Sequence, residues 1–419
     1  MPKTLSTRGP AGLPFILWGQ FLERAAFFSM EAGLVFFLVD SLGLDPVYSA
    51  KTYQFFLGFS LFVALFVGWL ADNRLGRFRA ILYFSMPAIL GYLMLGEISQ
   101  SLWVLPVLAL ISLGAAAVRP NAAALAGSLF GRHHQEKVPA QAYGRFYQAI
   151  NAGAATACLA APLVRSGRDV STVLLLPLIL MTISFFVFIM GRRFFPEEPL
   201  GFQPRLPSAA GRARNRRQLK TMAFFFLFIA IFWFLAGRAT PHWPAQVGPT
   251  LDLELFSLDL TLTAEQARGL KLAVLALLVW PFNFIWSKWE ERRNEPIRPA
   301  APRALGLGVA ALAAVGLGLV AGDGPGSPWA DVAGAFLFLV AELLIVIPGL
   351  KLTFTLAGDH QKSLALAVFF LLQFPALGLT PDFLALAAVL PPEPLYMARA
   401  VLLAGAGTVL LLAQRPFHW

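Results

Sequence analysis

The chain has 419 residues, of which 58% are hydrophobic and 13% charged, and Phe alone occurs 38 times. A soluble domain carries roughly a quarter charged residues, so this composition excludes an ordinary water-soluble globule and requires lipid to cover part of the surface. The net charge of +10 would raise nucleic-acid binding for a soluble chain, but here the position of the cations matters more than their sum, and no nucleic-acid partner is expected.

Apolar segments follow one another at 12–40, 53–71, 80–98, 102–128, 140–164, 170–191, 219–243, 268–288, 303–321, 328–357, 362–380 and 394–414. A helix crossing a bilayer needs about 20 residues, so twelve spans leave room for short connections only. The stretch before the first span is short, and the span itself is too long for the apolar core of a signal peptide, so no cleavable signal is expected. Between the sixth and seventh spans, the basic stretch Arg192 to Lys220 contains Pro196, Pro199, Pro204 and Pro207 and reads as a surface linker. The expected organisation is an all-α membrane protein of 12 transmembrane helices: a six-helix bundle at 1–191, a cytoplasmic linker at 192–218 and a second six-helix bundle at 219–419. In the connection 244–267, the alternation in LDLELFSLDLTL could mark a strand, but an irregular or interfacial segment is the expected reading.

The positive-inside rule tests this layout. With both termini cytoplasmic, the tails and even-numbered loops hold 22 Lys and Arg, and the opposite loops hold five: Lys51, Arg165, Arg168, Arg268 and Lys271. That asymmetry supports an even number of spans, because one miscounted span would mix the two classes. The expected location is a bacterial inner membrane, with the lipid bilayer as partner and the chain as a monomer.

A charge at the centre of a membrane helix costs about 2.5–3.5 kcal/mol on insertion scales, so each such residue is a candidate for function. The first span carries Gln20, Glu23, Arg24 and Glu31. At about 100° per residue these four fall on an arc of about 100°, a stripe that faces protein or a cavity rather than lipid. The same stripe also fits an ion pair that only fixes helix packing. Arg119 precedes Pro120 and Asn121 in the fourth span, where the proline is expected to break the helix, as at transporter sites. Asn151 in the fifth span fits either a site or an interhelical hydrogen bond. In the second half Arg238, Glu342, Lys351 and Arg399 lie within or at the edge of spans. Glu342 is the most central, and Lys351 reads as snorkelling to the interface. The loop from Gly68 to Arg79, with Asp72 and Arg77, fits charge–dipole contacts with a neighbouring helix.

That loop resembles the signature between helices two and three of the major facilitator superfamily. Three stretches resemble the proton-dependent oligopeptide transporter branch: Gln20-x-x-Glu23-Arg24 its ExxER motif, Arg119-Pro120-Asn121 its KPN stretch, and Phe146-Tyr147-x-x-Ile150-Asn151-x-Gly153 its FYxxINxG signature. Phe232-Trp233 is similar to the family's seventh helix, and Glu342 to Ile345 with Gly349-Leu350 to its tenth. The resemblance implies the major facilitator fold and a substrate held between two six-helix bundles. It also implies proton coupling at Glu23 and Arg24, with Glu342, and substrate contacts at Gln20, Phe27, Arg119, Asn151 and Glu342.

Several positions depart from the family pattern. The first acid of ExxER is Gln20, which does not titrate, and two tyrosines become Phe27 and Phe28. A family arginine becomes Glu31, and the KPN lysine becomes Arg119, which stays charged at any relevant pH. The seventh helix has Gly237-Arg238 where relatives carry an acid. A charge-swapped outer gate, Glu31 with Arg238, is therefore expected, alongside Asp72 and Arg77 as inner gating residues. The expected function is a secondary active transporter, a proton-coupled symporter of small peptides or a related polar solute working by alternating access. A proton-independent facilitator or exchanger with a non-peptide substrate is the alternative, followed by a non-transporting receptor. The five histidines form no metal or nucleophile pattern, and Cys158 is the single cysteine, so no enzyme, metal or cofactor is expected.

Overall fold

A computed structural model of the chain describes residues 10–130, 140–165, 170–196, 209–236, 250–255, 258–293, 300–322, 328–373 and 392–413. Among these residues are twelve α-helices: α1 (Leu13–Phe36), α2 (Pro46–Leu70), α3 (Arg77–Leu95), α4 (Val104–Ser128), α5 (Ala140–Arg165), α6 (Val170–Gly191), α7 (Ala209–Ala236), α8 (Ala264–Arg293), α9 (Ala300–Gly322), α10 (Pro328–Leu356), α11 (Lys362–Leu371) and α12 (Pro392–Leu412). Nine helical stretches among the described residues are long and apolar enough to cross a membrane. The stretch Leu13–Phe36 is not among them, because Glu23, Arg24 and Glu31 lower its hydropathy.

The helix boundaries follow from local chemistry. Asp45 caps α2 by accepting the Tyr48 N–H at 3.0 Å, with Pro46 opening the helix. Thr263 and Gln266 cap α8 reciprocally, the Gln266 N–H on Thr263 Oγ1 at 3.2 Å and the Thr263 N–H on Gln266 Oε1 at 3.0 Å. Helix α7 begins at Ala209, so the last part of the expected linker is helical. That segment has no proline after Pro207 and is rich in Ala, Arg, Lys and Leu, all good helix formers. Strands β1 (Thr250–Leu255) and β2 (Leu258–Thr263) pair antiparallel, with Leu251 opposite Leu262 and Leu253 opposite Leu260. This corrects the expectation of an irregular or interfacial segment: the alternating leucines pair across the two strands.

The expected break at Pro120 is absent: α4 runs unbroken through it. Helices α3, α5, α6, α8 and α10 likewise contain Pro87, Pro162, Pro177, Pro281 and Pro348. Membrane helices tolerate proline because neighbouring helices and polar side chains take over the freed carbonyls. In α4, Asn121 Nδ2 donates to the Ala117 carbonyl at 2.7 Å, one residue after the Ala116 carbonyl that Pro120 leaves without its helical N–H.

The chain forms two compact units. The first holds Met1–Leu206 together with Arg268–Ala276 and Ala357–Val368; the second holds Pro207–Ala267, Leu277–Leu356 and Phe369–Trp419. In the first unit α1 packs on α4, α5 and α6, and α4 packs on α2 and α3. Gly153 allows the approach of α5 to α1. A Cβ there would collide with the Phe21 carbonyl oxygen and stand 3.2 Å from Arg24 Cβ. In the second unit α9 packs on α10 and α12. There Arg303, 1% exposed, donates to the Pro348 carbonyl at 2.6 Å, and its guanidinium lies 4.9 Å from the Phe225 ring centre. The sequence placed this arginine in a loop. Its three-carbon stem reaches inward from the first turn of α9 instead, so it joins Arg77 and Lys362 as a buried member of the 22 cations.

Candidate functional site

The polar stripe of α1 is buried. Gln20 and Arg24 are 0% exposed and Glu23 is 2% exposed. Glu23 lies at the centre of the group: Gln20 Nε2 donates to Oε2 at 2.9 Å, Arg24 Nε donates to the same oxygen at 2.6 Å, and Arg24 Nη2 donates to Oε1. The Arg24 guanidinium also sits 4.7 Å from the Phe27 ring centre. Phe27 stacks on Phe56 of α2 with centroids 5.7 Å apart. Arg119 of α4 is within electrostatic reach of Glu23, Arg24 and Tyr147, and Tyr92 of α3 is within reach of Glu23 and Arg24. The group thus joins five helices, α1 to α5, and holds two arginines against Glu23. Gln20 Oε1 and Arg24 Nη1 have no hydrogen-bond partner among the described residues. Buried polar atoms of this kind call for a partner, and here one acceptor and one charged donor are available to a polar ligand.

At the other end of α1, Glu31 Oε1 accepts the Tyr53 hydroxyl of α2 and Arg268 Nη1 of α8, the latter at 2.5 Å. The Arg268 guanidinium lies 4.8 Å from the Phe28 ring centre. Arg238, the cation expected opposite Glu31, lies outside the described residues; among those described, the cation that meets Glu31 is Arg268, which the sequence placed in a loop. The capping box Thr263-Ala264-Glu265-Gln266 starts α8 early enough to put Arg268 on its second turn. That four-residue signal was present in the sequence. Below Arg268, Gly269 lies against α5: a Cβ there would stand 2.9 Å from Leu159 Cγ and 3.0 Å from Cys158 Cβ. Gln148 Nε2 of α5 then donates to the Ala276 carbonyl at 3.1 Å.

A third group lies where α2 ends. A π-turn, Ala71–Leu75, carries Asp72, and Gly76 follows at φ 80°, a left-handed conformation suited to glycine. Asp72 Oδ2 accepts the Leu364 N–H at 2.9 Å, in the first turn of α11, where free N–H groups attract an anion. Arg77 donates to Asp72 Oδ1 at 3.2–3.3 Å, to Ser128 Oγ at 2.9 Å, to the Asp359 carbonyl at 3.0 Å and to Ser363 Oγ at 3.3 Å. Asp72 thus caps α11, and Arg77 ties Asp72 to the turn that precedes the helix. Gly68 makes room for this approach, since a Cβ there would stand 3.0 Å from the Ser363 carbonyl oxygen and 3.1 Å from Leu364 Cα. Gly68→Val is expected to separate α2 from the start of α11, and faster trypsin cleavage after Lys362 in detergent would show it. Unchanged cleavage would contradict this role for Gly68.

The remaining candidates divide. Asn151 Nδ2 donates to the Tyr147 carbonyl of its own helix at 2.8 Å, so this bond does not join helices. Glu342 is buried at 9% exposure in α10 of the second unit. Lys351 pairs with Glu290 of α8 at 3.7 Å, both part-exposed, an arrangement of small energetic weight. Arg399 is buried with its guanidinium 5.2 Å from the Tyr396 ring centre.

Comparison with known proteins places this architecture. Residues 2–140 match the profile of the Major Facilitator Superfamily, and residues 78–211 match that of the POT family. Among solved structures, a POT family transporter in complex with a thioalcohol-conjugated peptide has a TM-score of 0.74 at 16% identity, covering 98% of this chain and 97% of that one. A POT family transporter in complex with 5-aminolevulinic acid gives 0.73 at 16% identity, covering 100% and 99%. These likenesses establish the fold: twelve helices in the arrangement of the major facilitator superfamily. Among curated proteins, solute carrier family 15 member 2 of Oryctolagus cuniculus is 28% identical over 213 residues, covering 47% of this chain and 29% of the relative. Peptide transporter 3 of Caenorhabditis elegans is 24% identical over 300 residues, covering 68% and 40%. The matched stretches thus cover less than half the length of these relatives. Over residues 78–211 the chain is thus similar to the POT family, and its likeness is to multi-pass membrane proteins.

Proposed function

We propose that the protein is a proton-coupled symporter of small peptides or a related small polar solute. It lies in a bacterial inner membrane as a monomer with both termini cytoplasmic. The observation that carries this reading is the buried group on α1, where Arg24 Nη1 and Gln20 Oε1 have no hydrogen-bond partner among the described residues, beside Glu23 and Arg119. Protonating Glu23 removes the charge that holds Arg24. It releases guanidinium donors toward a substrate carboxylate, with Arg119 as the second cation. Glu342, the buried acid of the second unit, supplies the counter-charge for a peptide amino group. Residues 1–191 and 219–419 act as the two moving halves, with 192–218 as their link. Asp72 and Arg77 hold the cytoplasmic end of α11, and Glu31 holds the outer end of α8. Fold, family and the peptide transporters among the relatives support this reading.

The test is counterflow in proteoliposomes loaded with unlabelled di- and tripeptides. Labelled peptide is expected to enter without any gradient. If no peptide exchanges while a non-peptide solute does, the proton-independent exchanger becomes the better account. One observation favours that second reading: Gln20 has replaced a titratable acid, which leaves a single carboxylate in the group.

A further inference from the structure

Helix α7 extends beyond its apolar part. It runs unbroken from Ala209 to Ala236, about 42 Å at the usual helical rise. Apolar and aromatic residues fill it from Met222 onward, whereas Arg212, Arg214, Arg216, Arg217 and Lys220 occupy the turns before. No Asp or Glu occurs between Glu198 and Asp252, so this end of the helix carries cations only.

The burial pattern separates two faces. Thr221, Phe225, Phe228 and Phe232 are buried, and their spacing of four, three and four residues turns one side of α7 to protein. On the opposite side Arg216, Lys220, Ala223 and Leu227 are exposed. At about 100° per residue these four fall within about 60° of one another. In a helix that crosses a bilayer, Leu227, 57% exposed, faces acyl chains. Lys220 and Arg216 lie on the same line, about 11 and 17 Å further along the axis, where the headgroups are. The positive-inside rule needs cations on one side of the membrane only; it does not need them on the lipid-facing line. Other helix ends of the second unit differ. The end of α8 mixes Lys288 and Arg292 with Glu290 and Glu291, and Arg303 at the start of α9 is turned inward onto the Pro348 carbonyl. Among the described residues no acid pairs with Arg216 or Lys220.

We infer that the exposed face at the start of α7 is a binding site for an anionic phospholipid, whose phosphate sits on Arg216 and Lys220. The arginine fork meets two phosphate oxygens, and the lysine adds a point charge one turn along. Arg217, also exposed, lies about 100° round the helix and widens the cationic surface. The acyl chains then run along α7 past Ala223 and Leu227. The site depends on α7 crossing the bilayer. It does not depend on what the protein transports.

The line itself supplies the reporter position. Leu227→Cys in a Cys158→Ser background would carry a thiol-linked fluorophore at acyl-chain depth, in the full chain reconstituted into phosphatidylcholine vesicles at low salt. The quencher is chain-brominated phosphatidylglycerol or chain-brominated phosphatidylcholine at equal mole fraction. Each cation near an anionic lipid is worth about fivefold in preference, so the pair is expected to give phosphatidylglycerol an advantage of about 25-fold in relative quenching. High salt is expected to shrink that advantage. The double variant Arg216→Gln, Lys220→Gln is expected to bring the ratio close to one. Arg216→Lys with Lys220→Arg keeps the charges and is expected to keep the preference, which separates loss of charge from loss of fold. A reporter at Leu312→Cys, on the exposed side of α9, is expected to show no preference. A ratio near one at position 227 in the protein with both native cations, or a preference unchanged in the glutamine variant, overturns the site. Quenching by neither lipid would mean that protein covers this face, and overturns it as well.

Discussion

Glu23→Gln is expected to yield a protein that exchanges peptide by counterflow but no longer accumulates it under an inward proton gradient. Glu23 is 2% exposed and accepts hydrogen bonds from Gln20 at 2.9 Å and Arg24 Nε at 2.6 Å, with a further ion pair to Arg24 Nη2. The amide keeps the shape and removes both the charge and the titration. Breaking one side of a buried ion pair costs about 3–5 kcal/mol, because the remaining charge stays buried without compensation. Here that charge is Arg24, with Arg119 nearby, so the thermal midpoint in detergent is expected to fall as well. Accumulation equal to that of wild type would remove Glu23 from the coupling mechanism.

The second large effect is steric. Gly153→Ala is expected to lower the yield of folded protein sharply, and Gly153→Val to abolish it. The added Cβ meets the Phe21 carbonyl oxygen, a backbone atom that cannot move without shifting α1. Overpacking in a well-packed core costs about 1–3 kcal/mol, and a backbone obstacle puts this site at the upper end. The displacement also moves Arg24, whose Cβ would be 3.2 Å away, so the buried charged group is disturbed together with the fold. Gly308→Ala is the control. Nothing lies within 4 Å of a Cβ there, and replacing glycine within α9 is expected to stabilise by up to about 1 kcal/mol. A size-exclusion profile and a thermal midpoint distinguish the two. Equal behaviour of Gly153→Ala and Gly308→Ala would contradict the packing argument.

The sequence made the helix count and the α1 stripe legible, because both rest on local periodicity. Gln20, Glu23 and Arg24 recur at helical spacing, and the structure joins them in one group. Other features needed three-dimensional information. Pro120 looked like a break, yet α4 passes through it, since membrane helices can satisfy the freed carbonyl through neighbours. The start of α7 was hidden in a basic stretch that reads as a linker by charge and as a helix by propensity. The partner of Glu31 lies 237 positions away, beyond what spacing alone can assign. Arg238, the gate cation that family resemblance implies, lies outside the described residues, and among those described the cation on Glu31 is Arg268 of α8. Arg303 was counted with the loop cations and is 1% exposed, which charge counting does not reveal.

The central claim is that this fold couples peptide movement to protons with a single carboxylate in the α1 group. The most direct measurement is in proteoliposomes carrying an internal pH dye and challenged with a panel of di- and tripeptides, with and without an imposed inward proton gradient. The account predicts that an accepted peptide accumulates above its external concentration only under the gradient, and that adding that peptide acidifies the interior. Peptide entry that ignores the gradient and moves no protons would contradict it.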